Sequence, residues 1–197
     1  MAIFTNLTEV TAPKHGVWRS SLLRSTIAGH ILDARVQGTV DGQTVDINVD
    51  NGVALKLGDW THDGLQERLA TVAGVKDKIV VTGSPAIVKT AFTKAQAAET
   101  NFYIPAGQLA RVYQIEGDPI DGDIFGVGDF QFTNTDKTDI AVDNYVVVDG
   151  NGKWTAVKKA NKPSASAYGF IGQIQSIQTG LDYSIVNIFA IQNVDNN

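Results

Sequence analysis

The chain has 197 residues, 43% hydrophobic and 19% charged, with 19 glycines, 5 prolines and no cysteine. This composition is globular rather than disordered or fibrous, and it excludes disulfides and thiolate metal sites. A formal net charge of −5, from 16 basic and 21 acidic residues, argues against general nucleic-acid binding, which needs a basic face to neutralise phosphates. The length fits one large or two small domains and allows roughly 70% of the unfolded surface to be buried. Met1–Asn6 lacks a basic segment followed by a long apolar run, so no secretory signal is expected. No window approaches the ~20 apolar residues of a membrane span, so no membrane partner is expected.

Residues 1–34 read as an extended N-terminal arm. Pro13, Gly16 and scattered polar residues interrupt any periodicity, with a short helix or strand expected around Ser21–Leu32. Lys14, Arg19, Arg24 and Arg35 stand against only Glu9 and Asp33, which makes this end locally positive in an acidic protein. Those four cations are the candidate partner-binding residues. Two readings stay open: an arm that becomes ordered on a partner, and a terminal segment packed on its own domain.

A first β-rich domain is predicted over residues 35–100. Arg35–Val40 and Thr44–Val49 alternate polar and apolar around Asp41-Gly42. Val45, Ile47 and Val49 should share one face, as in a half-buried strand. Val53–Leu57 alternates again after the turn Asp50-Asn51-Gly52. Trp60–Leu69 reads as a helical turn or loop, and Arg68–Val72 equally as a strand. Lys78–Thr82 is a buried strand ended by Gly83-Ser84-Pro85. A short helix is predicted at 85–100, with Ser84 as N-cap and Pro85 at its first position. Its Val and Thr residues favour extended structure instead.

Residues 101–197 form the second predicted β-rich domain. Leu109–Ile115 alternates, Gly117-Asp118-Pro119 turns the chain, Asp123–Val127 can be a short strand, and Gly128-Asp129 turns the chain again ahead of Phe130–Thr133. The strongest local signal follows. Val146-Val147-Val148 runs into Asp149-Gly150-Asn151-Gly152, and the chain resumes as Lys153-Trp154-Thr155-Ala156-Val157. Asp-Gly and Asn-Gly tolerate the positive φ of tight turns, so this is a β-hairpin. Tyr168–Ile177 and Tyr183–Ile191 complete the block, the latter apolar enough for a central strand. The fold class predicted is mainly β, a β-sandwich or barrel-like domains, with few short helices.

The motifs tested for chemistry point away from a reaction. Asp149–Lys153 begins like a calcium loop, but Lys153 and Ala160 occupy the fifth and twelfth positions, where oxygen ligands are needed. Asp118, Asp121, Asp123 and Asp129 crowd a Gly-rich segment; turn residues explain them better than a cation site does. Gly122–Gly128 has neither the spacing of a dinucleotide fingerprint nor the Lys-Ser/Thr pair of a phosphate loop. A Gly-x-Ser-x-Gly nucleophile elbow is missing. His15, His30 and His62 match no zinc spacing. Trp18, Trp60 and Trp154 could line a carbohydrate face, although aromatics dispersed this widely are more often core or interface residues. No cofactor, metal or catalytic residue is expected, and the chain is expected not to be an enzyme.

Asp50–Asp59, Ile79–Pro85, Asn101-Phe102-Tyr103, Ala106-Gly107, Ala110-Arg111 and Gly122–Phe125 together resemble structural proteins of tailed-phage virions. The second half is similar to phage head decoration, or cement, proteins. The layout shared is a Gly-Asp turn at Gly122-Asp123, Tyr145–Asp149 at a hairpin, Gly152-Lys153-Trp154 after it, and a Gly-Phe-Ile-Gly strand at Gly169–Gly172. The resemblance spans about residues 50–191 and transfers no active site. It implies a non-enzymatic virion protein on the capsid surface, made in the host cytoplasm. Its partner would be the major capsid protein, and it would act as a homo-oligomer, with a trimer as one candidate state. A head-fibre base or tail component is the alternative within this class, and a carbohydrate-binding β-module the alternative outside it.

Overall fold

A computed structural model describes residues 14–21, 23, 30–61, 67–87, 93 and 98–197. Twelve strands are present: β1 (Trp18–Arg19), β2 (Ile31–Val40), β3 (Gln43–Asp46), β4 (Ala54–Trp60), β5 (Arg68–Val72), β6 (Val80–Thr82), β7 (Leu109–Gln114), β8 (Ile124–Gly128), β9 (Tyr145–Val148), β10 (Trp154–Val157), β11 (Phe170–Thr179) and β12 (Ser184–Asn193). The described helical segments are single 3-10 turns, at Glu99–Asn101, Asp129–Gln131, Lys137–Asp139 and Lys159–Asn161. The protein is therefore mainly β, in two six-stranded sheets.

In the first sheet β2, β5, β4, β6 and β7 follow one another, and β7 returns to pair with β2. That closure makes a small barrel, and β3 continues off β2. Only the β2–β5 pairing is parallel. Alternation decides what points inward: Ala34 and Val36 on β2 and Ala110 and Val112 on β7 are buried, and their neighbours are not. Small residues recur in this interior: Ala34 lies opposite Ala110, and Ala70, opposite Leu57, is fully buried. Leu55, Val80, Val49 and Ile104 complete this core. Closure also leaves the barrel strands without a free edge there.

The second sheet has the order β1-β8-β12-β11-β9-β10, antiparallel throughout. β12 lies near its centre, between β8 and β11, and Val186, Ile188 and Ala190 on it are fully buried. The predicted hairpin is β9–β10, in register from Trp154↔Val148 to Val157↔Tyr145. Gly150 and Gly152 take φ of 84° and 70° in its turn. The outer edge of β10 is closed by the chain at 133–134. Asn134 Nδ2 donates to Ala156 O, and its Oδ1 accepts from Ala156 N, at 2.9 and 2.7 Å.

The two sheets share one large core. Phe125, Trp154, Phe170, Ile174, Val186 and Ile188 from the second sheet pack with Ala54, Ala73, Ile79 and Val81 from the first. Polar rivets cross the same junction. Asn193 Nδ2 donates to Ile79 O (2.8 Å) and Ile115 O (2.7 Å), while Asn193 Oδ1 accepts from Ile79 N at 2.8 Å. Trp154 Nε1 donates to Gly52 O at 2.8 Å. At Gly169 a Cβ would lie 2.1 Å from Asp77 O, so only glycine lets the chains pass this closely.

Several expectations are corrected. The alternation of Leu109–Ile115 identifies a strand but not its partner: β7 belongs to the first sheet, across the boundary drawn at residue 100. Asp129–Gln131, where a turn is predicted at Gly128-Asp129, is a 3-10 turn, and an isolated bridge joins Phe132 to Trp154 after it. The strand over Thr44–Val49 ends at Asp46, and Val45 is exposed while Val49 is buried. No helix runs through 83–87, and among the described residues Ser84 caps none; its N–H and C=O are held by the Asn51 side chain. Most of the remaining predicted helix lies outside the described residues. Of the two readings of 60–72, the strand holds for Arg68–Val72.

Candidate functional site

The N-terminal segment from Lys14 to Arg19 is extended, and it is built into the protein. Val17 and Trp18 are buried. Val17 N donates to Gln131 Oε1 at 2.9 Å, a side chain that also accepts from Gly128 N and donates to Asn51 O. Trp18 and Arg19 pair with Val127 and Gly126, which closes the outer edge of β8. Trp18 stacks at 5.2–5.4 Å on Phe125 and Tyr113, one from each sheet. For residues 14–19 the reading of a segment packed on its own domain is the one observed.

This placement determines what the four predicted cations do. Arg19 forms a two-pronged ion pair with Glu99, Nη1–Oε2 2.6 Å and Nη2–Oε1 2.5 Å. The Tyr183 hydroxyl also donates to Glu99 Oε1. The Arg19 hydrogen bond holds the Glu99 carboxyl below the usual carboxylate range, and burial opposes this without overcoming it. Glu99 in turn raises the Arg19 pKa. Burial, reinforced by the bond to Glu99, pushes the Tyr183 phenol up to about 12. Lys14 Nζ donates to Asp182 O at 2.8 Å and lies 5.9 Å from the Phe130 ring centre. Arg35 pairs with the buried Glu67 at 2.7 Å. Arg24 lies outside the described residues. The three described cations are thus each engaged within the protein, and they do not meet in one patch.

A cleft opens beside the segment. Its inner hollow, about 250 Å³, is lined by Trp18, Arg19, Glu99, Ser84, Tyr113 and Arg111 among others. An outer hollow of about 210 Å³ shares Ser84, Pro85 and Arg111 and adds Asp33, Phe102 and Leu109. A smaller hollow of about 120 Å³ lies on the other side of the segment, between Lys14, Asp50, Phe130 and Lys153. Arg111 was not singled out by sequence reading. The signal was present: it is an outward position in the alternation of Leu109–Gln114.

The other tested residues have structural work. Asp149 Oδ1 accepts from Asn151 N and Lys153 N, which ties the hairpin turn. Asp118 Oδ1 accepts from Asp121 N and Ile120 N, and these bonds lower its pKa. Asp123 is buried, exchanging backbone bonds with Glu116 and Ala190 and accepting from Glu116 N at Oδ2. Trp154 and Trp18 are core residues; Trp60 is half exposed, with the Arg68 guanidinium 5.0 Å over its ring. His15 sits against Asp50 at 2.8 Å and Tyr103, His30 is 3.9 Å from Glu116, and His62 lies outside the described residues. Compared with protein-family models, with curated proteins and with solved structures, the chain matches none of them.

Proposed function

We propose that this protein is a non-enzymatic structural protein of a tailed-phage virion, a decoration protein that binds and stabilises the outer lattice of the major capsid protein. One observation carries the reading. The stretches by which the sequence resembles decoration proteins run from residue 122 to residue 172, yet they fold into a single packed unit. Asp123 O accepts from Ala190 N at 2.8 Å, and Gly122 lies so close to Ala190 O that a Cβ would sit 1.8 Å away. Tyr145–Val148 is β9, Trp154 fills the core beside Phe125 and Phe170, and Phe170–Gly172 opens β11 against β9. A likeness made of turn and strand residues gains weight when those residues meet in one sheet.

A protein of this kind works through its surface and through copy number. Homo-oligomerisation on a repeating lattice turns modest contacts into firm attachment by effective concentration. The test is addition of the purified protein to capsids assembled from the major capsid protein without decoration. Saturable co-sedimentation and a raised capsid melting temperature are expected. Failure to bind such capsids at any concentration overturns the reading.

A further inference from the structure

We infer that the cleft between β7 and the N-terminal segment binds a carboxylate group, with Arg111 as its principal contact. The inference rests on the cleft alone and stands apart from the capsid reading. Two cations line the inner hollow, and they are in opposite situations. Arg19 is consumed by its two-pronged pair with Glu99. Arg111, on the outward face of β7, has no hydrogen-bond or ion-pair partner for its guanidinium among the described residues. With Arg19 and Glu99 cancelling, the charged lining of that hollow carries one surplus positive charge.

The neutral groups around Arg111 offer protons. Ser84 Oγ accepts from the Arg111 backbone N–H at 2.9 Å, which leaves the Ser84 hydroxyl proton uncommitted. The Tyr113 hydroxyl, on the same wall, has no partner among the described residues. A guanidinium with two hydroxyl donors matches a ligand that only accepts, and the planar fork of arginine fits a carboxylate with two parallel bonds. Asp33 selects among anions. It stands opposite Arg111 in the β2–β7 register and lines the outer hollow. Its repulsion penalises a phosphate dianion more than a carboxylate monoanion. The Trp18–Tyr113 pair, 5.4 Å apart, provides an aromatic wall for the stem of such a ligand.

Carboxylates come free in solution or as Asp, Glu or chain ends of a partner protein, and the test separates the two. The full-length protein, labelled with ¹⁵N, is titrated at constant ionic strength with sodium acetate, with an end-blocked peptide holding a single Glu, and with sodium phosphate. Saturable shifts of the Ser84, Arg111 and Tyr113 amides with acetate or peptide are expected, with phosphate weaker. Tighter binding of the peptide identifies a protein carboxylate, and equal or tighter binding of acetate a free acid. Arg111→Gln should weaken binding at least about tenfold, since a hydrogen bond to a charged group is lost. Tyr113→Phe, which keeps the ring, should weaken it about threefold. Absence of saturable shifts, unchanged affinity in a folded Arg111→Gln variant, or phosphate binding as tightly as acetate overturns the inference.

Discussion

Asn193 shows how much of this fold hangs on single polar side chains. It is 6% exposed and makes three hydrogen bonds to the backbone of Ile79 and Ile115. Truncation would leave buried backbone groups unpaired, each costing about 1–3 kcal/mol. Asn193→Ala is therefore expected to lower stability by about 2–4 kcal/mol in urea unfolding, whereas the exposed Asn151→Ala should stay within about 0.5 kcal/mol. Charge works on the same scale. Burial would raise the Asp77 pKa, but bonds from Lys56 Nζ, Gly74 N and Asn197 Nδ2 hold it below its ordinary value. A depressed carboxylate stabilises the fold above its unfolded pKa, and that contribution is lost as pH falls through the lower folded value. Glu99 behaves alike. Stability should decline below about pH 4, and Asp77→Asn should flatten that decline in melting curves. Tyr183 acts at the other limb: its raised pKa, about 12, costs stability as pH rises from about 10. A Tyr183→Phe difference titration of tyrosinate absorbance should place its midpoint near that value.

At the scale of elements, β1 has only two residues and yet closes an edge and fills a core. Trp18→Ala should cost about 3–5 kcal/mol, as for other buried tryptophans. Deletion of residues 1–20 should give a protein that fails to show a cooperative melt. A folded, fully stable product would show instead that Trp18 and Val17 are dispensable. The sequence discloses neither fact, because a two-residue strand carries no periodicity and its partner Val127 lies far along the chain. Elements whose information is local were legible. The β9–β10 hairpin is written in Val146–Val148 and in glycines that supply positive φ, and β12 in an apolar run. The cleft was not legible, since Arg111, Ser84 and Trp18 meet only once the barrel has closed. The charge count that singled out Lys14, Arg19 and Arg35 could not register that Asp182, Glu99 and Glu67 would receive them.

For the whole molecule, the shared core removes any independence of the two sheets. Ile79, Val81, Ala54 and Ala73 belong to barrel strands or their flanks but are buried against Phe125, Trp154 and Phe170. Residues 30–116 expressed alone should not fold stably, and calorimetry of the full chain should show one transition whose van't Hoff and calorimetric enthalpies agree. Two separable transitions would mean that the junction is weaker than its packing indicates. The threading of Lys14–Arg19 has a further consequence for a chain emerging from the ribosome. Val17 bonds to Gln131, Arg19 pairs with Gly126, and Lys14 reaches Asp182, 168 residues away. Every one of these partners is synthesised after the barrel strands. Trp18 meets Tyr113 and Arg19 meets Glu99 on the barrel side, but the β1–β8 pairing and the Gln131 bond must wait for residues 126–131, so these long-range contacts close late. A ribosome stalled before β8 holds a nascent chain in which residues 14–19 have their barrel-side contacts, Glu99 and Tyr113, but no strand to pair with.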